Sequence, residues 1–461
     1  MATTSNGHSN NGMKGLTADQ AEEAIVRFQK FLRYETVSAL AVESGAYKDC
    51  ASFLVHELQA LGVLSDIHLL PEAPDHSPVV VACWKGKDES LPVILWNSHY
   101  DVVPADPNDW SQAPPFEGRR KDGKIYGRGT QDMKSVCMQY IEAIRCMKRD
   151  HPEWTPTRTI YLTFVPDEEV GGQGMAALLE SSLYQETIEK NHGGIALALD
   201  EGLASTTDVF SVFYGERLPW WVDVEATGPT GHGSRFIDNT AVEQLVELSQ
   251  KALQFRQGQR DLLGMKEHDG CAHAVVAKST TLGDVTSLNI TSLTAGVYAG
   301  SKLAYNCVPP KAKCTLDIRI SPHVAPKDIG AMLDQWCREC SKDPAAGAQI
   351  TWKYAGGQGN HAMEHATTSI DTNVNPWYKV FADTLETMGM SLEPQVFPAA
   401  TDSRFLRALG IRALGFSPMR KTEIMLHEND EYIEESNFLE GIGIYVQLLE
   451  ALGSQGNDID K

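Results

Sequence analysis

Short apolar runs alternate with amphipathic segments through the first part of the chain, and several of these runs end on side chains that can hold a cation. Val79–Trp84, Val93–Trp96, Thr159–Val165 and Ile195–Leu199 are too short for ordinary helices and too continuously apolar for half-exposed strands, so they read as buried strands. Segments of helical period such as Ser135–Lys148 lie between them. Strand alternating with helix predicts an α/β fold with a largely parallel sheet flanked by helices. In such sheets a site forms beyond the carboxyl ends of the strands. His99, Asp101, Asp167–Glu169, Asp200 and Glu201 fall at those ends.

Near Trp220 the rhythm changes. Trp220–Thr227 reads as a strand, Thr240–Arg256 as a helix, Val285–Leu293 and Lys313–Ile320 as strands, Pro326–Cys340 as a helix and Gln349–Tyr354 as a strand. That order, βαββαβ, is a ferredoxin-like unit. After Pro376 a helix and further α/β alternation return, through Ala413–Phe416 and Asn437–Leu452. One α/β domain interrupted by a smaller one is therefore expected, with a polar tail over 1–16, the first part of the catalytic domain over 17–216, the inserted domain over 217–360 and the remainder over 361–461. Order should begin at Thr17, where Thr17-Ala18-Asp19-Gln20 fits a capping box and Ala21, Ile25, Phe28 and Leu32 mark one helical face. The stretch Gly264–Lys278, with His268 and His273, reads as a surface loop.

Composition bounds the partners. With 461 residues, two or three structural units are expected at roughly 100–200 residues each. Lys plus Arg is 40 against 61 Asp plus Glu, a net charge of −21, which argues against nucleic acid or an anionic membrane. No apolar run reaches the ~18 residues of a membrane span, and the tail rich in Ser, Asn and Gly has no secretory signal. Nine scattered cysteines suit a reducing compartment, so a cytoplasmic protein is expected. Cys337 and Cys340 form a lone Cys-x-x-Cys with no second pair to complete a zinc tetrahedron, and read as two thiols on a helix face.

The metal-capable residues are individually weak signals. His99 and Asp101, two apart, place Asp101 to support the His99 imidazole. Asp132, after Gly127 and Gly129 and before a helix, is either a ligand or a helix N-cap. Asp167-Glu168-Glu169 would repel one another at the end of an apolar strand unless a cation faced them. Asp200-Glu201 repeats the theme, and His427 lies in the acidic run His427-Glu428-Asn429-Asp430-Glu431. Together they supply two histidines and four or five carboxylates, a donor set that suits two zinc ions with an open position for water. The chemistry needs a shared carboxylate and a further carboxylate left free to move protons.

Asn97-Ser98-His99-Tyr100-Asp101-Val102-Val103-Pro104, Gly129-Thr130-Gln131-Asp132-Met133-Lys134 and Thr163-Phe164-Val165-Pro166-Asp167-Glu168-Glu169-Val170-Gly171-Gly172 resemble the signatures of a dinuclear zinc metallopeptidase family. That family holds the aminoacylase-1 group, acetylornithine deacetylase, succinyl-diaminopimelate desuccinylase and carboxypeptidase G. Ala198–Gly202, Pro219–Val222, Pro398–Asp402 and Leu414–Met419 resemble the aminoacylase-1 group more closely than the others, and the similarity runs from about Phe28 to about Leu452. The resemblance implies two zinc ions per subunit, one held by His99, Asp132 and Glu201 (with Asp200 as the lesser candidate), the other by Asp132, Glu169 and His427. It implies Glu168 as general base and acid, with Asp101 behind His99. The inserted unit resembles the family's lid or dimerisation domain, which implies a homodimer. There His232 would reach the partner subunit's site, Asn306 and Arg319 would contact substrate, and Arg404 is a further substrate-binding candidate outside it. Tyr100 stands where the family has a smaller residue and is expected to alter the rim of the site.

The activity implied is hydrolysis of the amide bond of N-acyl-L-amino acids to a carboxylate and a free amino acid. A dipeptidase or carboxypeptidase of the same family is the alternative, since pocket shape alone separates them. A catalytically dead scaffold relative would be expected to lack a ligand or the base, and this chain has all of them.

Overall fold

The computed structural model describes residues 16–38, 40–62, 64, 66–69, 77–264, 280–355 and 364–460. The polar tail before Leu16 and the histidines His268 and His273 lie outside the described residues. The chain forms two compact units. One comprises Met1–Val212, Ser369–Pro394 and Ile411–Lys461, the other Phe213–Thr368 and Gln395–Gly410.

The first unit is built on a mixed sheet. Its strands lie in the spatial order Asp66–Leu69, Val80–Trp84, Ile160–Val165, Val93–His99, Ile195–Asp200 and Ala413–Gly415, followed by Val209–Glu216 and Ser391–Phe397, two strands that begin in this unit and whose last residues are counted with the second. The centre is parallel: Val93–His99 runs alongside both Ile160–Val165 and Ile195–Asp200, and Ala413–Gly415 alongside Ile195–Asp200. Asp66–Leu69 and Val80–Trp84 join at one side in antiparallel pairings. Every residue of Val80–Trp84, Val93–His99 and Ile160–Val165 is buried, the consequence of covering a sheet on both faces.

The register carries the functional argument. His99 pairs with Val165, Trp96 with Leu199 and Gly415 with Asp200. The chain therefore leaves these strands at one edge, and the polar residues that follow them are delivered to the same place.

Helices seal the sheet. Ala18–Leu32 starts on the capping box of Thr17 and Gln20, and Phe28 on its inner face stacks on Phe438 at 4.6 Å between ring centroids. Lys134–Asp150 and Glu435–Gly453 meet through Tyr140 and Tyr445, with centroids 4.7 Å apart and Trp96 from the sheet 4.8 Å from Tyr140. Each such buried aromatic contributes about 1.5–3 kcal/mol over leaving it in water. Tyr100 belongs to this core and not to a rim: it is fully buried and its hydroxyl donates to the Pro78 carbonyl at 2.6 Å. The Tyr100 ring also packs edge-on to Tyr47, which fixes it inward.

The second unit has the chain order βαββαβ. Its antiparallel sheet runs Ser287–Ala295, Lys311–Ile320, Leu218–Thr227, Ile350–Tyr354, and the helices are Ala241–Gly264 and Pro326–Cys340. Alternate residues of Leu218–Thr227 are buried, as a sheet with one covered face requires. Its own apolar cluster joins Trp220, Val222 and Val224 to Leu245, Leu248, Ile329 and Leu333. Cys337 and Cys340 are core members of this cluster. The segment Gln395–Gly410 is fastened here by Arg407, whose guanidinium meets Glu216 at 2.8 Å, and by Arg217, which donates to the Pro398 carbonyl.

Candidate metal centre

Among the described residues, two groups of donors form at the strand ends of the first unit, and one residue belongs to both. His99, Asp132 and Glu201 make the first group; Asp132, Glu169 and His427 make the second. Within each group the candidate ligand atoms lie within 4.8 Å of one another. His99 Nε2 faces Asp132 Oδ1 at 2.9 Å and Glu201 Oε2 at 3.5 Å. His427 Nε2 faces Asp132 Oδ2 at 3.3 Å and Glu169 Oε2 at 3.1 Å. Each oxygen of Asp132 thus addresses a different imidazole.

Each donor has a local reason for its place. His99 closes a fully buried strand, and its other nitrogen, Nδ1, faces the Asp101 carbonyl at 3.1 Å and the Asp101 carboxylate at 3.4 Å. Asp101 lies past the strand end and is itself fixed by the Ser38 hydroxyl at 2.7 Å. The same carboxylate accepts the amides of Glu168 and Glu169, both at 3.2 Å. One side chain therefore sets the imidazole of His99 and the backbone of the acidic run together.

That run avoids self-repulsion by turning. Asp167 adopts a left-handed backbone (φ 63°), its carboxylate takes the Tyr47 hydroxyl at 2.7 Å, and Glu168–Val170 follow in a single 3-10 turn. Asp132 is not a helix cap: the helix Lys134–Asp150 begins after Met133, and no side chain caps it. Of the two acids after Ile195–Leu199, Asp200 accepts from Asn97 at 3.0 Å while Glu201 joins His99 and Asp132.

The electrostatics describe a buried anion set short of positive charge. Burial, with the Asp132 carboxylate nearby, holds Glu201 well above the usual carboxylate range. Burial and the same neighbour push Glu169 up as well. Burial alone would raise Asp132, but hydrogen bonds from His427 and His99 hold it well below its ordinary value. Burial disfavours a charged His99, yet Glu201, Asp101 and Asp132 keep its pKa well above the usual value. His427, bonded to Asp132 and Glu169, is raised to about 10. Three carboxylates against two imidazoles, all but His427 largely buried, is a donor set that divalent cations would neutralise, and nitrogen with carboxylate oxygen is a fitting chemistry for them. Burial is graded: His99 is 1% exposed, whereas the His427 side chain is 48% exposed, so the second group is the one open to solvent.

Glu168 belongs to neither group and is 9% exposed. His232, Asn306, Arg319 and Arg404 all lie in the second unit. There His232 and Asn306 meet: Asn306 Nδ2 is 3.5 Å from His232 Nε2, and the Gly233 amide donates to the Asn306 carbonyl at 2.6 Å. The Arg319 fork is engaged by Asp317, at 2.7 and 3.0 Å. Arg404 donates to the Thr401 carbonyl at 3.2 Å and lies over the Phe405 ring.

Sequence reasoning missed the residues that hold Asp132 from behind. Glu431 is fully buried and accepts from the loop that carries Asp132, and the Gln131 side chain bridges to the carbonyls of Glu423 and Tyr432 at 3.0 and 2.9 Å. Glu431 sits in the acidic run after His427, and nothing in residue type or spacing separates it from solvated neighbours such as Glu428.

The chain matches the model of peptidase family M20/M25/M40 over residues 95–451. It is 40% identical to aminoacylase-1 of Mus musculus over 433 residues, which cover 94% of this chain and 95% of that protein. It is 40% identical to aminoacylase-1 of Sus scrofa over a span of the same length and coverage, 433 residues, 94% and 95%. Among solved structures it is similar to the M20 family metallo-carboxypeptidase Sso-CP2 from Sulfolobus solfataricus, with a TM-score of 0.64, 19% identity, and coverage of 94% of this chain and 99% of that one. At that identity the likeness shows the fold.

Proposed function

The chain belongs to peptidase family M20/M25/M40, and from that premise we propose that it hydrolyses the amide bond of N-acyl-L-amino acids, releasing a carboxylate and a free amino acid. The observation that carries the reading is Asp132, buried with one oxygen toward His99 and the other toward His427. A carboxylate shared in this way would serve a pair of cations. Identity of 40% to aminoacylase-1 across 94% of the chain supports the substrate class.

His99, Asp132 and Glu201 would hold one zinc ion, and Asp132, Glu169 and His427 the other. Two bound zinc ions would polarise the acyl carbonyl and make water an effective nucleophile near neutral pH.

The chain's own residues supply the rest. Glu168 takes a proton from the attacking water as its oxygen bonds to the acyl carbon, then gives that proton to the nitrogen as the C–N bond breaks. Asp101 keeps Glu168 in reach by holding its amide, and keeps His99 in one orientation. His232 steadies the negative charge on the former carbonyl oxygen. In a homodimer it would serve the partner subunit, with Asn306 beside it. Arg319 binds the α-carboxylate of the substrate as a planar fork, exchanging Asp317 for it. Arg404 contributes to the substrate pocket. A cytoplasmic setting is part of the proposal, on the nine scattered cysteines of the sequence.

The test is release of amino acid by zinc-reconstituted protein from a panel of N-acetylated L-amino acids and from unmodified dipeptides. Acylated amino acids should be the faster substrates. Preference for dipeptides would move the chain to the dipeptidase branch, and protein that holds two cations yet cleaves neither class would end the reading.

A further inference from the structure

Five consecutive residues of the loop that ends on Asp132 point donors at one carboxylate. Glu431 Oε2 accepts from Arg128 Nη1 at 2.8 Å and from the Gly129 amide at 3.0 Å. Glu431 Oε1 accepts from the Gln131 amide at 2.6 Å, the Thr130 hydroxyl at 3.3 Å and the Asp132 amide at 3.4 Å. Glu431 is 0% exposed. An ionised carboxylate offers about four lone-pair sites and no donor, so it can satisfy such a ring of N–H and O–H groups. An ion pair with Arg128 alone would have left the loop amides idle.

The same contacts fix the other side of the site. Arg128 donates to the backbone carbonyls of His427 and Glu428, at 3.3 and 3.1 Å. Gln131 accepts from the Met425 amide at 3.0 Å and donates to the Glu423 and Tyr432 carbonyls. The loop before Asp132 and the segment around His427 are therefore joined on both sides of His427. Gly129 makes the turn possible: its φ is +88°, and a Cβ there would lie 2.9 Å from Val102 Cγ1.

We infer that Glu431 is the positioning residue for the shared aspartate. It holds the backbone of residues 128–132 so that the two oxygens of Asp132 face the two donor groups before any cation arrives. The inference rests on the reading of those groups as a two-cation site. Glu431 itself touches no cation and no substrate, so its loss should weaken both sites together and leave substrate recognition unchanged.

The test uses the full chain and cobalt(II) as the probe. In Glu431→Gln one acceptor oxygen becomes an NH₂ that faces at least two donors. Cobalt affinity, followed by visible absorption and by metal analysis after dialysis, should fall about 10–100-fold at both sites. At limiting metal kcat should fall, while KM at saturating metal stays at the wild-type value. A variant that only lost stability would melt earlier with cobalt affinity unchanged, and that result overturns the inference. Should the variant fail to fold, hydrogen exchange in metal-free wild-type protein decides: amides over 129–132 should be protected before metal is added, and free exchange there also overturns it. If wild-type protein binds no cobalt, the functional reading fails; if wild type and Glu431→Gln bind it alike, only the positioning role fails.

Discussion

Glu168 is set apart from the five donors by what its neighbours leave it to do. Its amide is bound to Asp101, but its carboxylate joins neither donor group. Glu168→Gln keeps shape and removes the proton acceptor, so kcat should drop by about 10²–10⁴-fold. Metal content should remain at the wild-type level, and retained activity would refute the assignment. The residue scale also shows where sequence reading stops. Histidines and acids at strand ends are visible because such groups are costly there without a partner. Which of Asp200 and Glu201 faces the site is not visible, since neighbours on an extended chain point to opposite sides. The packing decides it: Asn97 takes Asp200, and Glu201 meets His99. Glu431 was illegible for another reason, because its partners are backbone amides, which every residue possesses.

Among elements, close backbone approach is what aligns the site. Gly202 follows Glu201, and a Cβ on it would come within 2.8 Å of the Ser417 amide and 3.0 Å of Phe416 Cα. Gly202→Ala should force Ala413–Gly415 and Ile195–Asp200 apart and displace Glu201, at a cost of about 1–3 kcal/mol. Thermal melting combined with metal analysis would show both effects, and unchanged occupancy would count against the link. In the second unit, Glu225 pairs with Lys311 at 2.9 Å and Lys313 at 2.8 Å across the antiparallel ladder. Hydrogen bonds from these lysines lower its pKa from 4.5 to about 2. A depressed acid stabilises the fold above its unfolded pKa and loses that effect as pH falls through the folded one. The urea midpoint of wild type should exceed that of Glu225→Gln at pH 6, and the gap should narrow as pH falls from 4.5 toward 2. A gap that stays constant over that range would rule the pairing out as its source. The long strands and helices were legible from apolar period. The short strands Arg119–Lys121, Lys124–Tyr126 and Tyr432–Glu434 were not, being three residues each and largely polar. Strand direction was also hidden: Val80–Trp84 is as apolar as its parallel neighbours yet pairs antiparallel with Ile160–Val165.

For the molecule as a whole, all five donors lie in the first unit, while each unit has its own apolar cluster. Removing divalent cations with a chelator should abolish hydrolysis and lower the melting of the first unit. Zinc returned at a hundredfold over its Kd should restore about 2.7 kcal/mol for each site it fills. Calorimetry with and without chelator checks this, and a second-unit transition that shifts by the same amount would contradict it. The interrupted α/β plan was legible because a change from one strand-and-helix rhythm to another marks a change of packing partner. What that plan withheld was the stitching between Gln131 and Tyr432, since contacts across so many residues leave no local trace.

The first unit is assembled from three stretches of chain, the last of which follows all of the second unit, and this gives the protein a timetable. During synthesis His99, Asp132, Glu169 and Glu201 emerge early, whereas His427 and Glu431 follow only after the whole second unit has been made. On the proposed reading, a nascent chain would own the donors of one group long before those of the other, and would lack until the end the carboxylate inferred to steady the residue common to both. On that reading, filling of the second group would wait for the last stretch of polypeptide to arrive.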